Sequence, residues 1–147
     1  MKIKIEKISP EMVIDVRHSV LRVGQKIKTA EFDNDYNHRT VHFGGIINDK
    51  VISVATIFPD FINSGYKIWQ LRGMATLPNY QNRGIGTKLL NKCEIYINLY
   101  AGHTIWCNAR INAINFYLKN KFVIIGEKFE IPIIGLHYKM EKKLVTK

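Results

Sequence analysis

The chain is poor in acidic residues, in cysteine and in long apolar runs. Twelve Asp and Glu face 22 Lys and Arg, a formal net charge of +10, and a surface of that sign favours anionic partners: phosphate groups, an acidic substrate or nucleic acid. Nucleic acid is the weakest of the three, because aromatic residues do not interleave with a dense basic stripe. Lys2, Lys4, Lys7, Lys139, Lys142, Lys143 and Lys147 gather toward the termini, the pattern of a solvated face. Of the two cysteines, Cys93 falls on the apolar side of a helical pattern and Cys107 in a strand-like run. A packed, reduced pair is therefore expected rather than a disulfide, and with it a cytoplasmic location. No stretch approaches about 18 consecutive apolar residues, and the opening MKIKIEKISPE has no apolar run, so neither a membrane span nor a signal peptide is expected. Repeats and low-complexity linkers are also missing. What remains is 147 residues of 46% hydrophobic content, enough for one packed domain over residues 1–147.

In chain order, Lys2 to Lys7 alternates charged and apolar residues and reads as a half-buried strand. Ser9-Pro10-Glu11 is a helix start, with Ser9 as cap and Pro10 in the first position. The helix carries Val13, Val16, Val20 and Leu21 inward and ends before Gly24. Residues 24–39 are weakly periodic and read as a short helix followed by a loop. Val41 to Ile47 and Val51 to Phe58 are strands joined at Asn48-Asp49-Lys50, a hairpin signal. Pro59 to Gly65 reads as a turn and Tyr66 to Leu77 as a long strand. Thr104 to Cys107 is a short strand, and Asn112 to Lys119 a helix with Ile111, Ile114 and Leu118 on one buried face. Phe122 to Ile131 and Leu136 to Leu144 are the final strands, linked through Pro132 and Gly135. That order predicts an α/β (α+β) fold, a mixed sheet with helices on both faces.

The most informative stretch is Leu71 to Leu90, LRGMATLPNYQNRGIGTKLL. It joins a strand to a helix: Pro78-Asn79 is a turn dipeptide, and from Gly84 apolar residues recur at Ile85, Leu89, Cys93 and Ile97 at helical spacing. The turn carries Gln81, Arg83, Gly84 and Gly86. Glycine lets backbone come close to a ligand, and the first N–H groups of a helix are unpaired donors at the positive end of its dipole. Such a turn is an anion site, best suited to phosphate or pyrophosphate. Two better-known phosphate loops do not fit. The Walker pattern closes on Gly-Lys-Ser/Thr, whereas Thr87-Lys88 runs in the reverse order, and the dinucleotide fingerprint needs a small residue where Leu89 stands.

What fits is Gln/Arg-x-x-Gly-x-Gly/Ala between a strand and a long helix. Gln81-Asn82-Arg83-Gly84-Ile85-Gly86 resembles in this way the acyl-CoA signature of the GNAT superfamily of N-acetyltransferases. WCNARINAINFYLKNKF, Trp106 to Phe122, resembles the family's fifth strand and fourth helix, which end in Phe/Leu-Tyr-x-x-x-Gly-Phe. The resemblance covers most of the chain from Thr40 onward. It implies a GNAT-like, mostly antiparallel sheet with splayed strands 4 and 5, acetyl-CoA as acyl donor and no metal. It further implies transfer to a primary amine of a small molecule or peptide by direct attack in a ternary complex, in a monomer or homodimer with no nucleic-acid or membrane partner. On that resemblance Gln81, Asn82, Arg83, Gly84, Ile85, Gly86 and Thr87 hold the pyrophosphate. The strand edge Met74, Ala75 and Thr76 holds the pantetheine arm and the thioester. Tyr117, which also touches the cofactor, matches the general acid that protonates the departing thiolate; its plainer reading is a packed helix tyrosine.

Two departures from the family pattern stand out. Many relatives have Asn where this chain has Arg110, so either Arg110 or Asn108 is expected to contact the cofactor. The closing Gly-Phe is Asn120-Lys121-Phe122, so Asn120 or Lys121 must take the left-handed turn, and Asn adopts it more readily. The acceptor also needs a base, because an alkyl amine with a pKa near ~10.4 is protonated at neutral pH. Glu130, in the apolar run FEIP, and His137 are the leading candidates; His18, His38 and His42 are weaker ones, a lone strand histidine such as His42 being usually structural. Arg17, Arg22 and Arg72 are candidates for binding an acidic acceptor, Arg72 foremost because it lies just upstream of the thioester edge. Two other readings are an acyl-CoA-binding sensor without efficient turnover and a basic nucleic-acid-binding module.

Overall fold

A computed structural model describes residues 2–60 and 65–144. Among them, strands β1 (Lys4–Ile8), β2 (Val41–Ile47), β3 (Lys50–Pro59), β4 (Ile68–Thr76), β5 (Thr104–Arg110), β6 (Val123–Ile131) and β7 (Gly135–Lys143) form one sheet in the order β1-β2-β3-β4-β5-β7-β6. Helices α1 (Ile14–Leu21), α2 (Ile85–Leu99) and α3 (Ile114–Lys119) complete the layers. Every pairing is antiparallel except β4 with β5. The turn expected over Pro59 to Gly65 falls mostly on residues 61–64, and Lys147 on the last three; both lie outside the described residues.

Alternation along β3 puts helices on both faces. Val54 packs with Val13 and Val16 of the α1 layer, while its neighbour Ala55, with Ile57, packs against Leu89, Leu90 and Cys93 of α2, because successive strand side chains point to opposite faces. All four apolar positions expected on α2, Ile85, Leu89, Cys93 and Ile97, are buried, the three aliphatic ones worth roughly 1.5–3 kcal/mol each. Both cysteines are free and buried in that core. The β2–β3 hairpin turns through Asn48 and Asp49 at φ 49° and 64°, the primed turn that matches strand twist.

Several local expectations are corrected. Pro10–Val13 is a 3-10 turn that leads into α1, and Ser9 caps it by its carbonyl, which accepts from the Met12 N–H at 3.1 Å, with no side-chain cap. In residues 24–39 the expected short helix is present as a 3-10 turn, Ile27–Ala30, with loop after it. A 3-10 turn over Ile111–Ala113 precedes α3 and shifts its phase, so Ile111 and Leu118 face outward and Tyr117 is the buried residue. At the end of α3 the left-handed residue is Lys121, at φ 75°, and not Asn120. Asn120 instead closes the helix with its side chain, Nδ2 donating to the Phe116 carbonyl at 2.9 Å, so the turn falls one residue later.

Candidate functional site

β4 and β5 are partners only from Ile68–Gln70 against Thr104–Trp106. Beyond that point β4 stays paired with β3 as far as Thr76, and β5 with β7 as far as Arg110. The sheet therefore opens between them while each half keeps its ladder on the far side. A bulge in β4 accompanies the parting: the register passes from Thr56↔Arg72 to Val54↔Ala75, one extra residue on β4, with Gly73 at φ 62°. Bulges bend and twist the strand that carries them. The resulting cleft of ≈ 1100 Å³ has Met74 to Thr76 as one wall and Cys107 to Arg110 as the other. On the cleft side, the backbone groups of that β4 edge have no strand partner.

The start of α2 borders the same cleft through Gln81, Asn82, Gly84, Ile85, Gly86 and Thr87. Gly84 is the N-cap residue at φ 78°, and no side chain caps the helix, which leaves its first N–H groups to solvent or a ligand. Gln81 turns back and donates Nε2 to the Thr76 carbonyl at 2.9 Å, tying the turn to the end of β4. The two glycines serve different needs. A Cβ at Gly84 would meet nothing within 4 Å, so that glycine answers only to its φ; one at Gly86 would press on the Phe116 ring at 3.1 and 3.2 Å. Arg83 stands apart from this group. Its guanidinium lies over the Tyr80 ring at 5.6 Å, and it borders a separate groove with Ile3, Ile47 and Lys88.

Tyr117 lies in the cleft wall, with its hydroxyl donating to Met74 Sδ at 3.8 Å and the Cys107 thiol among its neighbours. Burial, and after it Cys107, push the phenol well above its ordinary pKa, which keeps its proton in place at neutral pH and leaves no phenolate to act as a base. Burial pushes the Cys107 thiol up to about 12, so it is neutral and a poor nucleophile.

The two base candidates part company. His137 is 3% exposed and borders the cleft. Its Nδ1 bonds the Gly135 carbonyl at 2.8 Å, and its ring stacks on Phe129 at 5.8 Å. A carbonyl only accepts, so Nδ1 carries the hydrogen and Nε2 of the neutral ring carries the lone pair. Glu130 is exposed and does not border the cleft. Strand alternation turns it away from the side on which Phe129 meets His137. Among the described residues no Asp or Glu lines the cleft.

Alternation also sorts β5. Cys107 and Ala109 enter the core with α2, so Asn108 and Arg110 face the α1 side. Arg110 accordingly donates Nη2 to the Leu21 carbonyl at the end of α1, at 2.8 Å. That puts its guanidinium across the sheet from the start of α2, a poor place to meet a pyrophosphate held there. Arg17 is withdrawn from ligand binding altogether. It is fully buried, grips Asp35 at 2.7 and 3.0 Å, and reaches the Ala30 carbonyl at 2.9 Å and Thr56 Oγ1 at 2.8 Å. His42 completes this network, with ring nitrogens 2.7 Å from Thr56 Oγ1 and 2.9 Å from the Asp35 carbonyl. Arg22 and Arg72 do border the cleft, their guanidiniums 5.0 and 4.5 Å from the Phe32 ring centre. Phe32 and Asp35 are the residues that sequence reasoning missed, since both lie in the weakly periodic segment 24–39.

Residues 12–122 match the model of the acetyltransferase (GNAT) family. The chain is 32% identical over 146 residues to an uncharacterized N-acetyltransferase of Bacillus subtilis (strain 168), YitI, with 98% of each chain covered. Solved structures similar in fold include an aminoglycoside 6'-N-acetyltransferase complexed with coenzyme A, at TM-score 0.77, 14% identity and 98% coverage of both chains. Another is the ribosomal-protein-S18-alanine N-acetyltransferase from Escherichia coli, at TM-score 0.79 and 17% identity, covering 99% of this chain and 96% of that one.

Proposed function

The chain belongs to the GNAT acetyltransferase family and is an acyltransferase, and from that premise we propose that it moves the acetyl group of acetyl-CoA to a primary amine by direct attack in a ternary complex. The observation that carries this reading is the parting of β4 from β5 with the uncapped start of α2 beside it. Together they offer an extended strand edge for an amide-bearing arm and a row of N–H donors for a pyrophosphate. Residues 74–76 and 81–87 form that cradle, less Arg83, whose side chain is engaged on Tyr80. The fit is supported by the open space beside Gly84, where nothing beyond the local chain lies within 4 Å of the missing Cβ position. Bound there, acetyl-CoA supplies an activated acyl group as a thioester.

The chain's own residues then move two protons. His137 Nε2, on the α1 side, is the acceptor for the proton of the incoming ammonium, directly or through water. Tyr117, kept protonated by burial, donates to the departing sulfur, whose conjugate acid resembles a thiol of pKa roughly 8.5. A β4 backbone N–H near Met74 polarises the carbonyl under attack. Fold alone does not choose the amine, since one solved neighbour is an aminoglycoside 6'-N-acetyltransferase and another acetylates a ribosomal-protein alanine. Acetyl-CoA-dependent thiol release with a panel of amines tests the proposal. Release that saturates in both substrates and falls on the order of 10²-fold in His137→Gln supports it. Tight acetyl-CoA binding with no release from any amine would replace the enzyme with a CoA-binding sensor.

A further inference from the structure

Four guanidiniums converge on the α1 side of the cleft. Arg17, Arg22 and Arg72 lie 4.0, 5.0 and 4.5 Å from the Phe32 ring centre, and Arg110 shares the Leu21 carbonyl with Arg22, at 2.8 and 3.1 Å. The bidentate grip on Asp35 neutralises Arg17. Nothing comparable neutralises the other three. Among the described residues no carboxylate lies within ion-pair distance of Arg22, Arg72 or Arg110, and Asp33 and Asp35 act on Arg72 only at longer range. Each guanidinium carries five N–H donors. Arg22 and Arg110 spend one each on Leu21, and the Arg72 side chain donates to no described protein acceptor. Holding three like charges together is unfavourable, and their neighbourhood records it: burial, then Arg110, Arg72 and Arg17, pull the Arg22 guanidinium below its ordinary pKa. Capping α1 accounts for two N–H groups and leaves the rest of the cluster unexplained. A pyrophosphate at the start of α2 lies across the sheet and does not use it.

We propose that the acceptor is an acidic amine, whose carboxylate or phosphoryl group seats on Arg22, Arg72 and Arg110 while its amino group meets the thioester. This rests on the acetyltransfer reading and narrows its acceptor. Planar guanidinium forks match a two-oxygen anion; the Phe32 ring packs against those of Arg22 and Arg72, and the Leu21 carbonyl holds that of Arg110. Arg110 and His137 are register partners across β5 and β7 and border the same cleft. The anionic group and the amine therefore stand a few bonds apart, as they do in an amino acid or an aminoalkylphosphonate. With no acidic residue along the cleft among the described residues, a purely cationic polyamine would meet only like charge.

The test uses purified full chain with amino acids, their carboxamides, and aminoalkylphosphonates of matching length. Wild type should use the acids or phosphonates better than the matched carboxamides by roughly 10- to 100-fold in kcat/KM, mostly through KM. The better of the two anionic series identifies the group. Arg72→Gln should erase the gap and Arg72→Lys should keep part of it; Arg110→Gln serves if Arg72→Gln does not fold. Carboxamides used as well as acids, or a gap that survives in Arg72→Gln and Arg110→Gln, overturns the inference. If acetyl-CoA binds but no amine in the panel releases thiol, calorimetry on CoA-loaded protein decides instead. No binding of any acid or phosphonate at millimolar concentration then overturns the anion site. A protein that does not bind acetyl-CoA at all is a separate result, which removes the parent reading.

Discussion

Tyr117→Phe removes one oxygen and leaves the ring between Phe116 and Phe122, with which it makes contacts at 5.1 and 5.2 Å. If the hydroxyl only packs against Met74 and Cys107, turnover hardly changes. If it protonates the leaving sulfur, kcat should fall on the order of 10²-fold or more while acetyl-CoA affinity stays within a few-fold, as read by pre-steady-state thiol release and calorimetry. Cys107→Ala should keep most turnover, because a buried thiol raised to about 12 is no nucleophile at neutral pH. An acetylated Cys107 that passes its group to amine would contradict this. His42 makes a prediction about stability. Burial, only partly offset by its bond to the Asp35 carbonyl, pulls its pKa below the ordinary 6.5. The unfolded chain thus binds more protons than the fold just below pH 6.5. Its contribution to stability is complete above that value and declines as pH falls toward the folded pKa. Thermal midpoints measured from neutral to mildly acidic pH should decline less steeply in His42→Gln than in wild type. Arg17 shows why residue roles stay hidden in sequence. An arginine in a helix pattern reads as surface, and only the fold brings Asp35, 18 positions away, against it.

At the scale of elements, the β4 bulge sets the site. A Cβ at Gly73 would lie 2.7 Å from Arg17 Nε and 3.0 Å from Phe32 Cε2, at a φ of 62°. Gly73→Ala should therefore destabilise the fold by about 1–3 kcal/mol, seen as a lower denaturant midpoint with unchanged slope. It should also disturb the Phe32 platform, raising KM for the acceptor more than for acetyl-CoA. In the phosphate turn, Arg83→Ala should leave acetyl-CoA affinity within a few-fold, since its side chain rests on Tyr80 away from the cleft. A tenfold or larger loss by calorimetry would mean Arg83 swings onto the ligand. The elements legible in the sequence were those with strong local signals: the period of α2, the Asn48-Asp49 hairpin and the glycine turn. Phase was less legible. A single 3-10 turn before α3 exchanged the expected buried pair Ile111 and Leu118 for Tyr117, and no residue between Arg110 and Ile114 announces that turn.

Across the whole molecule, the excess of basic residues and the single parted sheet act together. A net charge of +10 should attract a polyanionic donor at long range, so acetyl-CoA affinity should fall several-fold as salt rises from low to near-molar. An affinity indifferent to salt would assign binding to local contacts alone. The mixed sheet with helices on both faces was readable from the strand and helix order, and the parting of its fourth and fifth strands from the resemblance carried by Gln81 to Gly86 and Trp106 to Phe122. On the acceptor side Arg22, Arg72 and His137 were legible as separate candidates but their meeting was not, because Arg22 and Phe32 come from the segment after α1 and Arg72, Arg110 and His137 from three different strands. The central claim is that the donor lies along the β4 edge with its pyrophosphate on the start of α2. Amide hydrogen exchange with and without saturating acetyl-CoA measures this directly. Protection should rise on the order of 10-fold or more at residues 74–76 and 82–87, and change little along β1 and β2. Acetyl-CoA binding that leaves those two segments unprotected would contradict the account.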